Sequence, residues 1–180
     1  MQTLDRAKQR AAGLYWLAFL LTGRRGPSED MVVETAAPRD GAIPYFSTWM
    51  QSWSRRVAIA KALAAIRGEL AASARRTELK RMNKPALPAR DWALDPGTTK
   101  AELENALLAI DVFPRAALLL SVFEGVPIED AVVLLDAHPA LVKKARTIGL
   151  RELTGNLARM QGWTPTAARP SVVHSETQYA

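Results

Sequence analysis

An all-α protein of two small helical domains joined by a linker is the fold the sequence predicts, and three observations predict it. Apolar residues recur at the spacing of one helix face along residues 4–22, 47–74 and 113–153. A basic stretch followed by turn-forming Pro and Gly positions separates the second of these from the third. Residues 113–153 then read as three short helices in quick succession, the last of them basic, which is the layout of a helix-turn-helix. The expected boundaries are a helical domain over 1–76, a linker over 77–100, a helix-turn-helix domain over 101–160 and a flexible tail over 161–180.

Taken in order, residues 4–22 place Ala7, Ala11, Leu14, Tyr15, Ala18 and Leu21 on one helix face. Trp16, Leu17, Phe19 and Leu20 make the second half of this helix apolar nearly all round, so it should be buried between partners. Thr22-Gly23 ends it. Pro27-Ser28-Glu29-Asp30 then opens a second helix, with Ser28 as its cap and acids in its first turn, and Pro38 stops it after about Ala37. Beyond a turn-rich loop, a long helix is expected from near Ser47 to about Ala74. Trp49, Trp53, Val57, Ala60 and Ala64 form one stripe of it, which reads as core packing, while Arg55, Arg56, Lys61 and Arg67 take other faces.

The linker begins basic, with Arg75, Arg76, Lys80, Arg81, Lys84 and Arg90 against Glu78 alone. Leu103, Ala106, Leu107 and Ile110 open the second domain. Ala116, Leu119, Leu120 and Phe123 then share a helix face that Glu124-Gly125 terminates. Pro127 sets the start of a two-turn helix over 128–135, with Glu129 and Asp130 where its dipole favours negative charge, and Asp136-Ala137-His138-Pro139 breaks it. The last helix begins at Pro139. It turns Leu141, Val142, Ala145, Ile148, Gly149 and Leu153 inward and Lys143, Lys144, Arg146 and Arg151 outward. From Ala101 to Ala137 only Arg115 opposes seven acids, whereas from His138 to Arg159 five cations face Glu152 alone. An acidic scaffold presenting one basic helix suits a phosphate-facing element.

These residues carry a family resemblance. ALLAIDVFPRAALLLSVFEGVPIEDAVVLL followed by VKKARTIGLREL resembles region 4 of the extracytoplasmic-function sigma factors, whose helix-turn-helix reads the upstream promoter element. Arg115, Leu118 to Leu120, Glu124-Gly125 and Glu129-Asp130 stand at matching places. Pro127, Asp136 and His138-Pro139 depart from the family's Ser cap, turn Gly and Ser start. LYWLAFLLTGRRGPSEDMVVET resembles the start of region 2 through Leu21-Thr22-Gly23, Glu29-Asp30, Val33 and Glu34-Thr35. FSTWMQSWSRRVAIA is similar to the family's helix that melts and reads the minus-ten element, matching at Phe46, Trp49, Met50 and Arg55, although the segment before it is shorter and broken by Pro38.

The resemblance covers roughly residues 4–76 and 101–159. It implies a protein that binds core RNA polymerase through Asp30, Val33 and Glu34, and promoter DNA through basic surfaces on both domains. Lys143, Lys144, Arg146 and Arg151 would contact phosphates and groove edges, and Arg55, Arg56, Arg67, Arg75 and Arg76 would track the DNA backbone. A sigma mimic that binds an anti-sigma factor in place of DNA, or a stand-alone helix-turn-helix regulator, are the alternatives.

Composition bounds the rest. With 180 residues and 48% hydrophobic content the chain can bury a core in one domain or two small ones. Its longest apolar run, Leu14 to Leu21, is well short of a bilayer span, and the N-terminus lacks a signal-peptide pattern, so a cytoplasmic location away from membranes is expected. The absence of Cys, two His residues 36 positions apart and the lack of a glycine-rich phosphate loop argue against metal, nucleophilic or nucleotide chemistry. No enzyme activity and no cofactor are expected. A net charge of +6 favours a polyanionic partner.

Overall fold

The computed structural model of the protein describes residues 2–26, 28–29, 44–81 and 97–162. Among them the regular elements are α1 (Gln2–Thr22), α2 (Pro44–Ala65), α3 (Arg67–Leu79), α4 (Lys100–Leu108), α5 (Val112–Leu118), a π-helical turn (Leu119–Phe123), α6 (Ile128–Leu135) and α7 (Pro139–Met160), with no strand among the described residues. The all-α expectation holds.

α1 buries Leu14, Leu17, Ala18, Phe19, Leu20 and Leu21, as an all-round apolar half predicts. It ends at Gly23, which takes the left-handed conformation (φ 70°) and donates its N–H to Phe19 O at 2.7 Å. Ser28 differs from its expected role. The chain is already helical at residues 25–26 and 28–29, so Ser28 lies within a helical stretch, and its hydroxyl donates back to Arg24 O at 2.6 Å.

The expected long helix over 47–74 is two helices. Ile66 breaks it at φ −115° and ψ 16°, and its buried side chain docks in the core between α2 and α3. Gly68, a poor helix former, lies just beyond. The inward face of α2 also differs from the Trp stripe. Ala58, Ile59, Ala62 and Leu63 are buried, whereas Ala60 and Ala64 are exposed and Trp53 is 48% exposed. Both faces of this helix are apolar, and tertiary packing chose the one carrying Ile and Leu, which bury more area than Ala.

α4 starts at a capping box: the Thr99 hydroxyl accepts from Glu102 N at 3.2 Å, and Glu102 Oε2 accepts from Thr99 N at 2.7 Å. The Asp111 side chain takes the first N–H of α5, and the second, of Phe113, donates to Ser73 Oγ of α3 at 2.9 Å. The start of α5 is thus completed by a residue from the other side of the expected linker. The π-helical turn that follows adds a residue per turn, and it rotates Phe123 outward to 43% exposure against its expected inward position.

Arg115 is buried at 4% exposure. Its guanidinium donates to Leu108 O and Ile110 O at 3.1 Å and to Leu21 O at 3.4 Å, closing the C-terminal ends of α4 and α1 together. Burial lowers its pKa, and the charges of Asp111 and Glu69 oppose that shift.

Helices on both sides of the 77–100 segment share one apolar cluster. Leu17, Leu20, Ile59, Ala62 and Ile66 belong to it with Leu107, Phe113, Ala117, Leu135 and Val142. Leu70 of α3 joins the same cluster. The packing of the described residues displays no division into two separate cores.

Candidate nucleic-acid interface

The three-residue turn Asp136–His138 joins α6 to α7, in the segment expected to be a helix-turn-helix. Pro127 stands at the N-cap of α6 in an extended conformation, and Glu129 and Asp130 occupy its first turn. At its other end Asp136 adopts the left-handed region (φ 48°, ψ 52°), a conformation usually left to Gly or Asn, and Ala137 N donates to Val132 O at 3.2 Å. His138 then caps α7. Its Nδ1 accepts from Leu141 N at 3.2 Å, and Pro139 follows in the first turn, where its missing N–H costs nothing. Asp136 thus ends α6 in the left-handed region, and His138 starts α7 as its cap.

α7 runs to Met160, about two turns past its expected inward set. Leu141, Val142, Ala145, Ile148, Gly149, Leu153 and Leu157 face the core. Gly149 is required there, because a Cβ at that position would lie 2.6 Å from Pro114 O and 3.0 Å from Leu118 Cβ. Near the far end, Asn156 donates to Ala106 O at 2.8 Å and ties α7 to α4. With the inward face fixed, Lys143, Arg146, Thr147 and Leu150 make the exposed stripe at i, i+3, i+4 and i+7.

The cations expected to meet DNA fall into two sets. Lys143, Arg146, Arg56, Arg67 and Arg75 are exposed. The others are engaged within the protein or partly covered. Lys144 is half-buried and donates to Glu78 O at 2.7 Å. Arg55 forms a two-pronged pair with Glu124, its Nε donating to Oε2 at 2.7 Å, and that hydrogen bond raises the Arg55 pKa. Arg76 donates to both Asp111 oxygens, at 3.0 and 2.8 Å, and the same pair holds the Asp111 carboxyl below its usual range. Arg151 is half-buried. Asp30, Val33 and Glu34, the expected polymerase contacts, lie outside the described residues.

Sequence reasoning missed the partners that hold these cations. Only the packing of α2 and α3 against the C-terminal helices brings the Glu78 carbonyl to Lys144, the Glu124 carboxylate to Arg55 and the Glu152 carboxylate to Lys80. It also missed a groove of about 470 Å³ between α2, α3 and α6, floored by Ala60, Ala64, Ala71 and Ala74 and flanked by Arg67 and Asp136. No helix among the described residues is long and apolar enough to cross a membrane. No protein-family model, curated protein or solved structure matches this chain.

Proposed function

We propose that the protein is sigma-factor-like: it binds core RNA polymerase through its N-terminal helices and promoter DNA through α7 and basic side chains of α2 and α3, and so acts in the cytoplasm. One observation carries the DNA half. A short helix with an acidic first turn passes through the three-residue turn Asp136–His138 into a long helix whose exposed stripe holds Lys143 and Arg146. Phosphate contact is the role of these two side chains, with Arg56, Arg67 and Arg75 as further cations along the backbone. In this reading residues 1–76 and 101–160 are the two functional units, and they meet through the common core.

The test is duplex binding by the full chain. Lys143→Ala with Arg146→Ala should weaken binding across all sequences and make the salt dependence shallower by up to about two counterions. Unchanged binding would remove α7 from the interface. The polymerase half rests on the resemblance around Asp30, Val33 and Glu34. Asp30→Lys with Glu34→Lys should abolish co-purification with core RNA polymerase while leaving helical content unchanged, since reversing charges at the centre of a partly desolvated interface costs several kcal/mol. A parent protein that never binds polymerase would overturn this half.

The internal engagement of Arg55, Arg76 and Lys144 favours a second reading, the sigma mimic that binds an anti-sigma factor. Absence of duplex binding at low salt together with capture of a purified anti-sigma factor would select it.

A further inference from the structure

The last turn of α3 is held to the rest of the protein by polar contacts. Its final buried residue is Thr77; Glu78, Lys80 and Arg81 are exposed, and Leu79 is 83% exposed. Three contacts run from this turn to α7. Glu78 O accepts from Lys144 Nζ at 2.7 Å, the Glu78 carboxylate lies 3.9 Å from His138 Nε2, and Lys80 pairs with Glu152. They extend over residues 138–152 of α7, on the order of 20 Å of helix at 1.5 Å per residue. They also begin at the end that a helix-turn-helix turns toward the groove.

We propose that this turn is a strap restraining nucleic-acid binding by α7. The inference rests on the reading of α7 as a duplex-binding helix. Lys144 spends one of its three ammonium donors on Glu78 O, and a duplex approaching that flank meets Glu78 and Glu152, two carboxylates of the wrong sign. Beyond Thr77 no described residue of this turn is buried, and it opens at small cost because exposed ion pairs contribute little each. A phosphate replaces the carbonyl partner of Lys144, and the freed ammonium joins the stripe of Lys143 and Arg146.

Lys80→Glu separates this proposal from a plain effect of charge. The substitution sets a second carboxylate against Glu152 and lowers the net charge by two, so general electrostatics would weaken duplex binding. Release of the strap should instead tighten it, by about threefold, the worth of one exposed pair. The double variant Lys80→Glu with Glu152→Lys restores a pair at unchanged net charge and should return the affinity to that of the parent. The measurement is fluorescence anisotropy of a labelled duplex with the full chain, with circular dichroism confirming equal helical content. Duplex binding by the parent, with Lys80→Glu equal to it or weaker, overturns the strap and leaves the DNA reading standing. Tightening that persists in the double variant assigns the effect to where charge sits and also overturns the strap. No duplex binding by parent or variants at low salt overturns both readings.

Discussion

Position 149 shows how closely two helices can be brought when one residue lacks a side chain. Pro114 O belongs to backbone, so it cannot rotate away from a new Cβ at 2.6 Å. Ala in place of Gly would gain about 0.5–1 kcal/mol of helix propensity, but overpacking of a filled contact costs about 1–3 kcal/mol. The clash wins. Gly149→Ala is expected to lower the melting temperature, whereas Gly155→Ala on the same helix, with nothing within 4 Å of the added Cβ, should raise stability by about 0.5–1 kcal/mol. Thermal denaturation of the two variants beside the parent checks both signs, and a neutral Gly149→Ala would mean that α7 can move away from α5. Single residues were readable where they punctuate the backbone. Gly23 and Gly125 both take positive φ at the helix ends they were expected to close. Asp136 does the same without being Gly, at the turn where the sequence breaks α6.

At the scale of elements, the two helices α6 and α7 were the most legible part of the fold. Pro127, Asp136, His138 and Pro139 fix their ends by local chemistry, and the inward set of α7 from Leu141 to Leu153 follows one stripe at helical spacing. The α2–α3 region was not legible, for a physical reason. From Val57 to Ile66 nearly every position is apolar, so periodicity offered two faces, and the choice fell to whichever packed better against α1 and the C-terminal helices. The break at Ile66 has the same origin, since no Pro and no capping side chain marks it. The π-helical turn that exposes Phe123 likewise leaves no local signature. For the candidate interface, the exposed stripe could be read from spacing, but which cations stay open could not. Arg55 and Glu124 are 69 residues apart, and Lys144 and Glu78 are 66 apart, so only tertiary packing sorts the open cations from the engaged ones.

The whole molecule raises the question of how the two halves depend on each other. α1, α2 and α3 contribute Leu17, Leu20, Ile59, Ala62, Ile66 and Leu70 to the cluster that covers Leu107, Phe113 and Ala117. Ser73 completes the start of α5, and Arg115 gathers carbonyls from α1 and α4. Cutting the chain between residues 81 and 97 and removing one half would expose several large apolar side chains, each worth about 1.5–3 kcal/mol when buried. It would also leave Phe113 N–H without Ser73 and take Leu21 O from the Arg115 guanidinium, at about 1–3 kcal/mol for an unmatched buried group. Against a total stability of about 5–15 kcal/mol for a domain of ordinary size, these losses are decisive. A fragment spanning 97–162 is therefore expected to lack a cooperative melt, and mixing it with a fragment spanning 1–81 should restore one, with the two eluting together in gel filtration. Sharp, independent transitions in both isolated fragments would instead establish two self-sufficient domains, with the shared cluster contributing little to the stability of either.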